Sequence, residues 1–295
     1  PESQIHRQVV RKEAEIREIK IDPVVKLYYV EVEPPKMEDP TSDLRRLLKA
    51  LEAEWELQNI KVPHSILESL QLTLREGKWK VTVAVDHDGI MRGIWSDFRE
   101  HLYGIAVDIG STTLAAHLCE LGSGEVLSSA GMMNPQIRFG EDLMSRVSYV
   151  MLNQDGEKEL TKSVREALNQ LSLEVCEQAG IQKEEVMEMV MVGNPVMHHL
   201  VHGINPVELG GAPFALATDE AIITPASELD LELHQLARTY TLPCIAGHVG
   251  ADTAAMVLAE APHHQEAITL LVDVGTNAEI VLGNRDRLLA ASSPT

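Results

Sequence analysis

Apolar and polar residues alternate from Leu27 to Glu33, and Pro34 and Pro35 stop the run, which predicts a short strand. After Pro40-Thr41-Ser42 the period changes. Leu44, Leu47, Leu48, Leu51 and Trp55 then share one face of a helix that a hydroxyl residue caps. A second short helix is predicted around Ser65 to Leu72. Trp79, Val81, Val83 and Val85 alternate with Lys80, Thr82 and Asp86, the pattern of a half-buried strand, and His87-Asp88-Gly89 turns it back through Ile90 to Trp95. Residues 36–102 therefore read as a small α+β domain. Residues 1–35, including a charged stretch of helical character from Arg11 to Glu18, read as an N-terminal linker with too few apolar residues for a core of its own.

From Gly104 onward the pattern is α/β, and one short motif occurs twice. Gly104-Ile-Ala-Val-Asp108-Ile-Gly110-Ser111-Thr112-Thr113 and Leu270-Leu-Val-Asp273-Val-Gly275-Thr276-Asn277 each run an apolar strand into Asp, one apolar residue, Gly and small polar residues. Each is followed by a second strand, a Gly-containing turn and a third strand, so the repeat is a three-stranded meander 165 positions apart. One such hairpin is ordinary turn chemistry; two are specific. Gly110 and Gly275 suit a tight turn with φ > 0 and a close backbone approach to an anion, while Ser111, Thr112, Thr113, Thr276 and Asn277 add donors. Asp108 and Asp273 are placed to hold a hydrated Mg²⁺ rather than touch phosphate. Two facing hairpins would clamp a nucleotide's phosphates from both sides.

Between the repeats, Asn134 to Asp142 reads as a loop entering a helix. Leu160, Val164, Leu168, Leu171 and Val175 form the core stripe of a longer helix ending at Gly180. Met189 to Val192 is a buried strand that stops at Gly193-Asn194-Pro195, and an irregular stretch runs to Leu242. Cys244 to Thr253 reads as a strand, a glycine turn and a helix start, with the helix running to Glu260. There Gly247, Gly250 and Asp252 either offer N–H groups to phosphate or form a purely structural turn.

Net charge is −20, and residues 104–295 carry 9 basic against 26 acidic side chains. Such a surface disfavours nucleic acid, and an anionic nucleotide would have to arrive with its metal. Cys119, Cys176 and Cys244 lack zinc or iron–sulfur spacing and read as reduced, mostly buried thiols. No apolar run approaches a membrane span and no signal-peptide pattern opens the chain, so a cytoplasmic, membrane-free protein is expected.

The twin hairpins give the chain the layout of the acetate and sugar kinase, heat-shock chaperone and actin superfamily. Val107-Asp-Ile-Gly-Ser-Thr-Thr113, Asn134-Pro-Gln-Ile-Arg-Phe-Gly-Glu-Asp142, Gly193-Asn194 with Met197-His-His199, Ala246-Gly-His-Val-Gly-Ala-Asp-Thr253 and Leu271-Val-Asp-Val-Gly-Thr-Asn277 with Glu279-Ile-Val-Leu-Gly-Asn284 narrow the likeness. Together they resemble the reductive activators of corrinoid-dependent enzymes.

That resemblance implies an α/β, actin-like ATPase (ribonuclease H-like) fold over residues 103–295, comprising the first lobe and the start of the second. It implies ATP and Mg²⁺ as cofactors and a corrinoid protein as partner, with Co(II) returned to Co(I). The electron would come from a [2Fe-2S] ferredoxin-type domain that has no ligands in this chain, served by an external electron donor. Relative to the family layout, the sequence reads as a fragment without the iron–sulfur domain or the adenosine-binding half. A homodimer is left open. The alternative is an actin-like ATPase, a small-molecule kinase or a nucleotide-sensing module with no redox role.

Other residues have plainer readings. His198 and His202 share a helix face at i, i+4, which fits packing or capping better than a metal site. Glu141 and Asp142 read as acids favoured at a helix start rather than as a catalytic pair. Arg138 and Arg146 read as salt-bridged rather than catalytic, and Met187, Met189, Met191 and Met197 as core filling rather than a cofactor box.

Overall fold

Val25–Glu31, the first of the alternating runs, pairs along its whole length with Lys80–Asp86, and that strand pairs with Met91–Ser96. These strands, β1, β2 and β3, make a three-stranded antiparallel sheet in the computed structural model, which describes residues 20–275 and 277–294. The charged stretch from Arg11 to Glu18 lies outside the described residues. Helix α1 (Asp43–Trp55) packs on β1, and α2 (His64–Glu76) packs on β2 and β3. Ser42 caps α1 by accepting the Arg45 N–H, as its hydroxyl predicts.

Strand β2 departs from the half-buried expectation: Val81 to Asp86 are all buried. Thr82 meets no water, because its hydroxyl donates to the Asp97 carbonyl (2.7 Å) and accepts the Arg99 N–H (2.9 Å). A polar side chain whose donor and acceptor are both met can sit inside at little cost. Residues 20–104, with 119–125, form one compact unit, so the strand read as part of a tether shares a sheet with the small α+β region.

Residues 105–118 and 126–294 form the other unit. Its centre is a six-stranded sheet in the order β6-β5-β4-β7-β9-β8, built from Tyr103–Ile109 (β4), Thr113–Glu120 (β5), Val126–Met133 (β6), Val186–Gly193 (β7), Ile222–Pro225 (β8) and Arg238–Thr241 (β9). Strands β4, β5 and β6 are the predicted first meander. Helix α3 (Leu143–Leu152) precedes α4 (Gly156–Ala179), whose predicted stripe of Leu160, Val164, Leu168, Leu171 and Val175 is wholly buried. Gly180 ends α4 with φ 72°, the left-handed conformation that glycine adopts without strain. Helix α5 (Pro195–Val201) follows β7, and α6 (Ala251–Glu260) packs against it. The second meander forms its own sheet, β10 (Thr269–Val274), β11 (Asn277–Asn284) and β12 (Arg287–Pro294).

Two elements correct the sequence reading. The segment from Cys244 to Val249 is a tight turn closed by an Ala246–Val249 bridge, not a strand. The strand lies earlier, at β9, inside the stretch read as irregular. Its parallel pairing with β7 brings Arg238 opposite Glu188, and the two form an ion pair of 2.7 Å with both side chains buried. Neutralisation of that pair lets a polar sequence occupy the interior.

Candidate functional site

Asp108 is the penultimate residue of β4, and Asp273 is the penultimate residue of β10, so the repeat of sequence is a repeat of position. In the first hairpin Gly110 does not have positive φ; a Cβ there would fall 2.6 Å from the Thr113 carbonyl oxygen. Close approach, rather than a left-handed turn, is what demands glycine at 110. Gly275 likewise lacks positive φ, and a Cβ there would meet only an ordinary contact, 3.5 Å from the Asn277 carbonyl oxygen. Its N–H closes the second hairpin on that same oxygen at 2.9 Å. Thr276 lies outside the described residues.

The tip of the first hairpin is held from behind. Asn134 Nδ2 donates to the Gly110 carbonyl (2.8 Å), the Asn134 backbone N–H donates to the Thr112 carbonyl (2.8 Å), and the Arg146 guanidinium donates to the Ser111 carbonyl. Three consecutive carbonyls are thus drawn to one side. In a trans peptide the N–H points opposite to the C=O, so the N–H groups of Ser111, Thr112 and Thr113 face the other way. Successive N–H groups on one side make an anion-binding concavity, the chemistry a polyphosphate needs.

Asp252 is the second residue of α6, which packs against β7, β10 and β11. Burial raises its pKa to about 6, the Thr253 N–H at 2.7 Å opposes that shift, and the charges of Glu279, Asp108 and Asp273 add to it. Asp252 therefore feels carboxylates from both repeats, and the helix that carries it packs on β10 and β11. Glu279 is the cross-strand partner of Asp273; burial raises its pKa as well, the Ser292 hydroxyl opposes this, and Asp273 adds to it. Four acids gathered with two raised pKa values fit a cation arriving among them. Among the described residues no set of three His, Cys, Asp or Glu is arranged to grip a metal directly.

Gly250 fixes the approach of α6. A Cβ there would fall 2.6 Å from both Asn194 Cα and the Gly193 carbonyl oxygen, and one at Gly193 would fall 2.7 Å from the Ile109 carbonyl oxygen. The end of β4, the end of β7 and the start of α6 are stacked backbone on backbone. Gly247 faces elsewhere: a Cβ there would fall 2.1 Å from the Phe214 carbonyl oxygen.

Sequence reasoning overlooked Asn134, Arg146 and Glu279 as site residues. Glu279 was within reach, since a hairpin centred on Thr276 places it opposite Asp273. Arg146 was read as salt-bridged, and that is corrected: among the described residues its guanidinium meets no carboxylate. Its partners are the carbonyls of Gly140 (3.1 Å) and Ser111, the Gln136 amide oxygen (3.2 Å) and the Met197 sulfur (3.1 Å). The exposed Arg138 lies over the Phe139 ring, 4.6 Å from its centroid.

His198 and His199 are buried on α5, His198 with neither ring nitrogen hydrogen-bonded, and His202 Nε2 is paired with the Thr241 hydroxyl at 2.9 Å. His199 Nδ1–H donates to the Pro195 carbonyl (2.8 Å) while its Nε2 accepts the Ala217 N–H (3.0 Å), which fixes its neutral tautomer. Burial lowers His198 and His202 to about 4, with neighbouring positive charge adding to the shift. Asp142 caps α3 by accepting the Ser145 N–H at 2.7 Å. The three cysteines are free, and burial raises each thiol's pKa, to about 11 for Cys176 and about 12 for Cys244. Thiols held protonated by burial are poor ligands for an iron–sulfur cluster, which binds thiolates.

Three family models match consecutive stretches: the RACo linker region over residues 14–101, the RACo middle region over 103–265, and the C-terminal domain of RACo, the ASKHA domain, over 267–295. The corrinoid activation enzyme RamQ of Eubacterium limosum is 32% identical over 282 residues, 94% of this chain and 46% of that protein. The [Co(II) methylated amine-specific corrinoid protein] reductase of Methanosarcina barkeri is 26% identical over 201 residues, 65% of this chain and 36% of that protein. Among solved structures, a reductive activator for corrinoid, iron-sulfur protein superposes with a TM-score of 0.85 at 34% identity, covering 95% of this chain and 45% of that one. The chain spans about half the length of the first of these curated relatives, and less of the second.

Proposed function

The chain belongs to the RACo family, and from that premise we propose that it is the central part of an ATP-dependent reductive activator that returns a corrinoid protein from Co(II) to Co(I). The observation that supports this reading is the packing of α6, which carries Asp252, against β10 and β11 of the second repeat and against the end of β7, which in turn abuts the end of β4 at Ile109, with the charges of Asp108 and Asp273 both bearing on Asp252. A nucleotide's phosphates would lie between the N–H groups of Ser111 to Thr113 and the second tip at Gly275 to Asn277, with Asp108 and Asp273 holding a hydrated Mg²⁺. Bound Mg²⁺ would neutralise phosphate charge. Asp252 would release its proton as the cation arrives, because a nearby positive charge favours the carboxylate.

The electron for cobalt would come from a [2Fe-2S] domain outside this chain, supplied by an external donor, since the cysteines here do not fit a cluster. One electron converts Co(II) to Co(I). Nucleotide binding would act by changing the relative stability of protein states, so its effect is bounded by its differential affinity for them.

The test is anaerobic spectroscopy of a Co(II) corrinoid protein mixed with the intact activator, a reductant and MgATP. Appearance of the Co(I) spectrum only when ATP is present supports the proposal. ATP hydrolysis with no cobalt reduction, with or without the corrinoid protein, refutes it in favour of an ATPase or kinase without a redox role.

A further inference from the structure

Arg146 is a wholly buried cation on α3; its guanidinium is hydrogen-bonded to neutral acceptors and not to a carboxylate, the charge of Asp142 acting on it without direct contact. Isolated buried charges are costly, so the structure around this one must satisfy it by other means. It does so with oxygen and sulfur acceptors from separate segments: the turn after β6 (Gln136, Gly140), the hairpin tip (Ser111) and α5 (Met197). Gln136 passes the link onward, donating from Nε2 to the Leu160 carbonyl of α4 at 2.9 Å. Asn134, also buried, completes the brace by taking the carbonyls on either side of Ser111.

We propose that Arg146 is a positioning residue for phosphate binding: it aims the N–H groups of the first hairpin at the nucleotide's phosphates and stores a positive charge behind them. This inference rests on the nucleotide-binding reading above. The guanidinium pulls the Ser111 carbonyl inward, which turns the Thr112 N–H outward and aligns that peptide dipole with its positive end toward an anion. An arriving phosphate meets both an oriented donor and a cation whose own hydrogen bonds go to neutral acceptors. Lys cannot replace it fully, because a single ammonium cannot span Gly140, Gln136 and Ser111 with the fixed fork of a guanidinium. Gly140 is part of the same device. A Cβ on it would fall 2.8 Å from the Arg146 N and 2.7 Å from Ser145 Cβ, so only glycine lets the turn lie against the start of α3.

The experiment compares the intact protein with its Arg146→Met and Arg146→Lys variants, measuring MgATP affinity by calorimetry and adenosine affinity by competition. Arg146→Met is expected to weaken MgATP by about tenfold or more, the usual weight of a charge-assisted hydrogen bond and its field, while adenosine affinity stays at the wild-type value. Arg146→Lys is expected to lie between, since it keeps the charge and loses the fork. A merely structural role would weaken adenosine and MgATP alike, and that result overturns the proposal, as does unchanged MgATP affinity in Arg146→Met. If Arg146→Met fails to fold, the ratio of MgATP to adenosine affinity in Arg146→Lys decides by the same criterion. Absence of MgATP binding in the wild-type protein overturns the nucleotide-binding reading itself, a distinguishable outcome.

Discussion

Replacing Asp252 by Asn removes one negative charge from a cluster of four while keeping the side chain's shape and an oxygen for the Thr253 N–H. Burial, with Glu279, Asp108 and Asp273 adding to it, places the native pKa at about 6 against 3.8 for the unperturbed group. A carboxyl whose native pKa is raised binds its proton more tightly when folded. Its contribution to stability is therefore fully present below about pH 4 and lost as pH rises through about 6. The difference between 3.8 and about 6, at 1.36 kcal/mol per pH unit, corresponds to about 3 kcal/mol at most. Without Mg²⁺ or nucleotide, the variant is thus expected to be more stable than wild type at pH 8 by up to that amount, and equal to it near pH 4. Urea unfolding across pH 4 to 8 measures the difference, and Mg²⁺ should shrink it by neutralising the cluster in the wild type. A difference that does not vary with pH, or a variant less stable at pH 8, would refute the reasoning.

Two further predictions concern the frame around the site. Gly250→Ala sets a methyl against the backbone of Gly193 and Asn194, neither of which can swing aside, and should cost about 1–3 kcal/mol in urea unfolding and weaken MgATP binding. Glu188→Gln removes the carboxylate 2.7 Å from the buried Arg238 and should cost about 3–5 kcal/mol, whereas joint replacement of Glu188 by Leu and Arg238 by Met should recover most of that loss, measured in the same assay.

What the sequence made legible was whatever is written locally. The two Asp-x-Gly bends carry their own turn chemistry, and the hairpins β4–β5 and β10–β11 follow from them. Helix α4 was readable because Leu160 to Val175 recur at helical spacing and Gly180 marks the stop. The illegible parts are those where burial is decided by distant partners. Arg238, Thr239, Tyr240 and Thr241 look like a loop until Glu188 neutralises the arginine from a neighbouring strand. Thr82 looks solvent-facing until the Asp97–Arg99 segment covers it. Arg146 gives no local sign of its position, because its acceptors come from residues 111, 136, 140 and 197. The apolar run at Cys244 resembled a strand, yet only Cys244 of Cys244-Ile245-Ala246 is buried, its sulfur taking the Ala251 N–H.

The central claim is that both bends act on one magnesium-bound nucleotide, and a double-mutant cycle on the intact protein tests it most directly. MgATP is titrated by calorimetry into wild type, Asp108→Asn, Asp273→Asn and the double variant. A shared ion predicts that each single change weakens binding and that the double change weakens it by less than the two combined, with a coupling of about 0.5–3 kcal/mol. Strictly additive losses, or a loss from only one of the two aspartates, would contradict it.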